Sequence, residues 1–217
     1  MKEEDKILSC TSCSIMNCAS LTGEFPPFCP TSKFTEENEQ VIKNYQGDGE
    51  DANVAKASAE IEGLYYKQLT RVEEIIHFAK RMNAKKIGIA TCKGLMSEAK
   101  IFAQILESHH LKCYGVICKV GANDKCEMNL DPQYKINKGT DHETMCNPIL
   151  QAQILNKEQT DLNVLVGLCV GHDSLFYKHS NALVTTLITK DRVLGHNPVV
   201  ALYTLNSYYS HLKESQK

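Results

Sequence analysis

The sequence predicts an α/β fold: a Rossmann-like parallel sheet of about four strands with flanking helices, preceded by a cysteine-rich segment and a helical stretch. Three observations carry this. Short apolar runs alternate with helical patterns over residues 84–217, which is how βαβ units and a parallel sheet are written in sequence. Those runs are apolar throughout rather than alternating, as strands covered on both faces require. Residues 1–33 have no helical or strand period, yet they hold four of the ten cysteines. The expected organisation is therefore a Cys-rich metal-binding segment over 1–33, a helical region over 34–83 and a Rossmann-like domain over 84–217.

Taken in order, the first helix begins at Thr35, a residue able to cap it, with Glu36 and Glu37 in its first turn. Gly47-Asp48-Gly49 breaks it. One long helical stretch is expected from Asn53 to Met82, because Ile61, Leu64, Tyr65, Val72, Ile75, Ile76 and Ala79 recur at near-helical spacing. The strands follow at Lys86–Thr91, Lys112–Cys118, Asn163–Leu168 and Ala182–Leu187. Between them, helices are expected over Leu95–His109, over Asn147–Asn156 with Pro148 in the first turn, and over Asp173–His179 with Asp173 as N-cap. A last helix is expected from Pro198 to Tyr208. The excursion from Lys119 to Met145 is long for a compact domain, where connections usually run about 4–6 residues. It leaves the second strand at the carboxyl edge of the sheet, so a lid over that edge is favoured over a plain surface loop.

Composition narrows the function classes. Lys plus Arg is 24 and Asp plus Glu is 26, a net charge of −2, so nothing in the overall charge points to a nucleic-acid partner. No apolar run reaches the roughly 18 residues a membrane span needs. The start, Met1-Lys-Glu-Glu-Asp-Lys6, is charged throughout and lacks the apolar core of a signal peptide, so a cytoplasmic location is expected. In a reducing compartment, ten cysteines mean metal or redox chemistry before they mean disulfides.

The cysteines fall into two sets. Cys10 and Cys13 form a C-x-x-C turn, with Cys18 and Cys29 following within twenty residues. Four soft thiolates suit tetrahedral zinc or a [4Fe–4S] cluster, and spacing does not choose between them. A metal would also order a segment too short to bury its own core. The second set is dispersed in sequence. Cys92 follows the first strand, Cys118 ends the second, Cys169 follows the third, and Cys146 immediately precedes a helix start. All four belong to the carboxyl edge, where open α/β sheets bind ligands. The alternative for each is a small apolar core residue. Cys113, at the start of the second strand, reads as core. Cys126, in the long loop, can substitute for one of the four.

Near the same edge, Gly171-His172-Asp173 follows Cys169, and His172 is a candidate ligand or proton donor, or simply a helix-start residue. Lys190 and Arg192 can hold an anion. His196, in Gly195-His196-Asn197-Pro198, has a structural explanation as part of a helix start, with Asn197 as cap, and a functional one at the edge. There is neither a G-x-G-x-x-G after a strand nor a Walker A sequence, so nucleotide chemistry is disfavoured.

Three stretches carry a resemblance: Cys10-x-x-Cys13-x4-Cys18…Cys29; Gly167-Leu-Cys169-Val-Gly-His172-Asp173-Ser174-Leu-Phe176; and Lys190-Asp-Arg-Val-Leu-Gly-His-Asn-Pro198. Together they resemble, over nearly the whole chain, a bacterial and archaeal family of unknown function described as predicted metal-binding proteins. The resemblance implies metal binding at the N-terminal cysteines and no established reaction. A fainter similarity, confined to short pieces, is to the cluster-binding segments of carbon monoxide dehydrogenase and hybrid-cluster proteins.

The leading expectation is a metal-binding protein with an iron–sulfur cluster or zinc on Cys10, Cys13, Cys18 and Cys29. A second centre is expected on Cys92, Cys118, Cys146 and Cys169, with a redox or electron-transfer role and a redox partner or small molecule as counterpart. The alternatives are a zinc-stapled binding or interaction module without catalysis, and a thiol-dependent or metal-sensing enzyme using Cys169 and His172.

Overall fold

The computed structural model describes residues 7–213; the charged start Met1-Lys-Glu-Glu-Asp-Lys6 lies outside them. The chain divides into two compact units between Glu60 and Ile61. The N-terminal unit is made of short pieces: a 3₁₀ turn at Cys10–Ser12, α1 (Asn17–Ser20), α2 (Pro30–Lys33), α3 (Thr35–Gln46) and most of α4 (Glu50–Tyr65). Gly47 ends α3 as the sequence indicates, but Thr35 is its first helical residue and Phe34 the cap, with no side-chain cap bond.

The expected single helix from Asn53 to Met82 is two helices. α4 stops at Tyr65, and α5 (Arg71–Arg81) starts afresh. Lys67 takes a left-handed backbone, φ 59°, which no helix continues through. Thr70 then opens α5 with a capping box, its hydroxyl and the Glu73 carboxylate satisfying each other's backbone amides.

The C-terminal unit is the α/β domain. β1 (Lys86–Thr91), β2 (Lys112–Ile117), β3 (Leu162–Val166) and β4 (Leu183–Ile188) form one parallel sheet in the order β2-β1-β3-β4. Burial follows that order. β3 is buried at every residue and β1 at all but Lys86, whereas β2 and β4, at the two edges, are partly exposed. Ile87, Ile89, Leu162, Val164 and Val166 face α5 and α6 (Met96–Ser108), meeting Ile75, Ile76, Ala79, Ala99, Phe102 and Leu106. Ala90, Val116 and Leu165 face α7 (Pro148–Lys157) and α8 (His172–His179), meeting Ala152, Leu155 and Phe176. Each fully buried aliphatic or aromatic side chain contributes about 1.5–3 kcal/mol. On this second face Asn163 is fully buried, its amide held by Thr160 and Ser180. Gly88 makes room for it, since a Cβ there would lie 2.0 Å from Asn163 Oδ1.

Two helix starts and one helix end differ from expectation. Asn147 caps α7 through Leu150 N–H, as its sequence suggests. α8, however, is capped at Gly171, with Asp173 inside the first turn accepting from Ser174 N–H. The last helix, α9, covers only Val199–Tyr203; Pro198, not Asn197, is its cap, and turns follow to residue 209. Among the described residues no helix is long and apolar enough to cross a membrane.

Candidate thiol site at the carboxyl edge

Parallel ladders continue one residue past the strand ends, and this continuation builds the site. Cys118 N–H donates to Thr91 O at 2.8 Å, and Cys92 N–H to Val166 O at 3.4 Å. Cys92 and Cys118 are thereby set side by side at the ends of β1 and β2. Asn147 N–H donates to Cys118 O at 2.8 Å, which brings the N-terminus of α7, and Cys146 just before it, against the same point.

The sulfurs follow the backbone. Cys146 Sγ lies 3.7 Å from Cys118 Sγ, and the Cys92 thiol is hydrogen-bonded to Cys118. Cys118 and Cys92 are buried; Cys146 is half-buried. The Lys93 amide donates to Cys118 Sγ at 3.4 Å. The Cys118 thiol is pushed up, chiefly by its hydrogen bonds with Cys146 and then Cys92, and further by burial. Its two sulfur partners are lowered. Cys92 falls to about 5, through the bond from Cys118, helped by the Gly94 amide and the Lys190 ammonium and opposed by burial. Cys146 falls to about 4, through the bond from Cys118 and then one from His172, with Lys119 adding a further positive charge.

Cys169 joins through a cation. Arg192 Nη2 donates to Cys169 Sγ at 2.9 Å, and the same guanidinium is held charged by Cys169, then Cys92 and Cys146. Lys190 reaches across the strand ends, its Nζ 3.1 Å from where a Gly94 Cβ would sit and its Cδ 3.7 Å from the Gly167 position. The strand order makes this convergence meaningful. From β1 the chain moves outward to β2, and from β3 it moves the other way to β4, so the topological switch point lies between β1 and β3. Cys92 leaves β1 there, and the turn from Gly167 to His172 leaves β3 there.

Four cysteines expected at this edge are thus brought to it, three in direct contact and Cys169 through Arg192. His172 belongs with them, touching Cys146. Cys113 packs against the core from β2, its thiol near Ala103 O and Glu107. Cys126 does not join the set; its amide binds Asp124 in the long loop. His196 closes a local turn: its Nδ1 accepts the Asp191 amide at 3.1 Å, and Asp191 in turn caps Val193 and Leu194.

Sequence reasoning missed two contributors. Lys119 donates to Thr144 O at 2.5 Å and faces Cys146 across the loop. Gln151, fully buried on α7, donates to Thr91 O and Val116 O at the ends of β1 and β2, and its Oε1 has no partner. A polar residue at a helix position surrounded by Ala152 and Leu155 was the available signal.

The N-terminal cysteines are arranged differently. Cys13 N–H closes the C-x-x-C turn onto Cys10 O at 3.1 Å. Cys10 and Cys18 are exposed, Cys13 is half-buried and Cys29 is buried. The Thr31 hydroxyl is the chief cause that lowers the Cys29 thiol. Among the described residues, no group of three or more His, Cys, Asp or Glu side chains, at either place, already stands in an arrangement that could hold a metal ion.

Comparison with known proteins places these residues in a family. The profile described as "Protein of unknown function (DUF1847)" matches residues 29–187, a span that begins at Cys29 and includes Cys92, Cys118, Cys146, Cys169 and His172. An uncharacterized protein of the archaeon Methanocaldococcus jannaschii is 51% identical over 183 residues, covering 83% of this chain and 91% of that protein. No solved structure matches the chain.

Proposed function

The chain belongs to the DUF1847 family, and from that premise and the edge geometry we propose that it binds a thiophilic metal ion, zinc before iron, on Cys92, Cys118 and Cys146 with Cys169 completing the set. The observation that carries this is the 3.7 Å separation of Cys118 and Cys146 Sγ. Two thiolates on one tetrahedral zinc, with Zn–S of about 2.3 Å, stand about 3.8 Å apart. In a [4Fe–4S] cluster the cysteines ligate different irons, so a pair this close favours a single ion. Cys92 is hydrogen-bonded with Cys118, and Cys169, held by Arg192, would complete the donor set.

The surroundings support an anionic sulfur centre. Four thiolates on a divalent ion leave a charge of −2, which Lys190 and Arg192 are positioned to offset, while the Lys93 amide already points at sulfur. Such an ion, if bound, would tie the four thiolates together at the switch point and, being four-coordinate, would leave no open position for a substrate. The residues do the rest: His172 sits within hydrogen-bonding reach of Cys146 and can hold or move a proton there, and Cys146, like Cys169, is half-buried.

Metal analysis of anaerobically purified protein tests this. The expected result is a stoichiometric zinc that is lost in the Cys118→Ser/Cys146→Ser variant and retained in Cys10→Ser/Cys13→Ser. Retention of metal by the edge variant, or its loss from the N-terminal one alone, overturns the assignment and returns the centre to Cys10, Cys13, Cys18 and Cys29. Iron together with acid-labile sulfide would replace the single ion by a cluster, restoring the electron-transfer reading and the likeness to carbon monoxide dehydrogenase segments.

A further inference from the structure

We propose that Cys146 and Cys118 form a dithiol–disulfide exchange site that reacts with small organic disulfides. This does not rest on the metal reading: it uses one sulfur pair, and it holds for the metal-free protein.

Three observations carry it. The two sulfurs are 3.7 Å apart, and the 2.8 Å bond from Asn147 N–H to Cys118 O fixes the two backbones side by side. Closing to a disulfide, about 2.05 Å between sulfurs, therefore asks for side-chain rotation rather than backbone movement. The pair is also asymmetric in access. Cys146 is half-buried and reachable, whereas Cys118 is only 2% exposed. An outer sulfur that attacks and an inner one that resolves is the division of labour thiol exchange requires. Finally, the outer sulfur lies beside His172 and Lys119, and the inner one receives the Lys93 amide. Cys92, the third thiol in contact, is instead engaged by the Gly94 amide and Lys190.

Cys146, as thiolate, attacks one sulfur of R–S–S–R; that S–S bond breaks, a mixed disulfide forms, and the departing RS⁻ takes a proton from solvent. The Cys118 sulfur then attacks Cys146 Sγ, breaking the mixed disulfide. The second RS⁻ leaves with the proton Cys118 gives up. Two electrons pass from the protein to the small disulfide, yielding two RSH and a Cys118–Cys146 disulfide. A small dithiol in excess reverses the sequence.

The test uses the full chain, reduced and then freed of reductant, incubated with oxidised glutathione, acid-quenched and mapped by mass spectrometry. Half the sample is first treated with a chelator. The expected product is a cross-link joining the Cys118 and Cys146 peptides without a retained glutathione. In Cys118→Ser, with folding checked by circular dichroism, a glutathione adduct should accumulate on Cys146. A cross-link in the chelated half alone sustains the proposal and shows that a metal held the same sulfurs. Absence of the cross-link from both halves of the wild type overturns it, as does oxidation confined to Cys92 or to the N-terminal cysteines. So does a Cys118→Ser protein that folds but gathers no adduct.

Discussion

At Gly167 the backbone turns at φ +74°, the left-handed region that favours glycine. A Cβ there would fall 1.9 Å from Leu95 Cδ1, and Leu95 is only 2% exposed. The turn out of β3 thus packs its backbone directly on the turn out of β1, which is what lets Cys169 and Cys92 approach one region. Gly167→Ala meets both an unfavourable φ and an overfilled contact. Chemical denaturation should show a loss of about 2–4 kcal/mol. A midpoint equal to wild type would mean that Leu95 and the turn give way freely. The residue scale is also where the thiols acquire their unequal characters. Cys118 is pushed up while Cys92 and Cys146 are lowered, and in all three the hydrogen bonds among the sulfurs outweigh burial.

At the scale of elements, the excursion from Lys119 to Met145 organises itself around one carboxylate. Asp124 accepts from Cys126 N–H at 2.8 Å and from Glu143 N–H at 2.7 Å, and pairs with Lys135 and His142. Glu127 returns to the Asp124 amide, and Lys125 pairs with Glu143. The amide bonds, that of Cys126 first, hold the Asp124 carboxyl well below the usual carboxylate range. A folded value below the unfolded one means that its contribution is complete above the ordinary value of 3.8 and drains away as pH falls further. Protection of the amides across residues 124–144, taken relative to their intrinsic exchange at each pH, should therefore fall below about pH 4, before that of the sheet. Asp124→Asn should show a several-fold acceleration already at neutral pH, because its new N–H₂ faces donors. Uniform exchange across loop and sheet at low pH would count against this role. Legibility in the sequence divides along the same line. β1 and β3 were readable because central parallel strands are apolar without interruption; the edge position of Cys92, Cys118 and Cys169 followed from the strand-end rule, and that of Cys146 from its place before a helix start. The break between α4 and α5 was not, because apolar periodicity runs on through Tyr65–Arg71 while a left-handed Lys67 and the Thr70–Glu73 capping box stop it locally. Nor was the Asp124 network, or Arg192 on Cys169: these are contacts between loop residues, and no periodicity records them.

On the scale of the molecule, the chain as a whole is slightly acidic, at −2, yet its sheet edge gathers cations from distant segments, Lys119 after β2 and Lys190 and Arg192 after β4, with the His172 imidazole after β3 beside them. The strand order puts them all around one switch point, so the fold concentrates positive field where the thiols are. Of the causes lowering Cys92 and Cys146, the bond from Cys118 is local, but the Lys190, Lys119 and His172 contributions belong to this assembled field. Lowered values place thiolate, and hence alkylation, far below the range of an ordinary thiol near 9. Removing cations must raise them. In chelated, reduced protein, Lys190→Gln should move the alkylation profile of Cys92 to higher pH, with Cys146 less affected because its neighbours are His172, through a hydrogen bond, and Lys119. His172→Gln should do the reverse. Added salt should move the wild-type profiles in the same upward direction, most where the cation is exposed, since screening lengths fall to about 3 Å at 1 M. Iodoacetamide rates followed by peptide mapping across pH 4 to 9 measure all three. If neither substitution nor salt moved either profile, the low values would come from the hydrogen bonds with Cys118 alone, and the cations around the edge would be there for a ligand's charge instead of the sulfurs'.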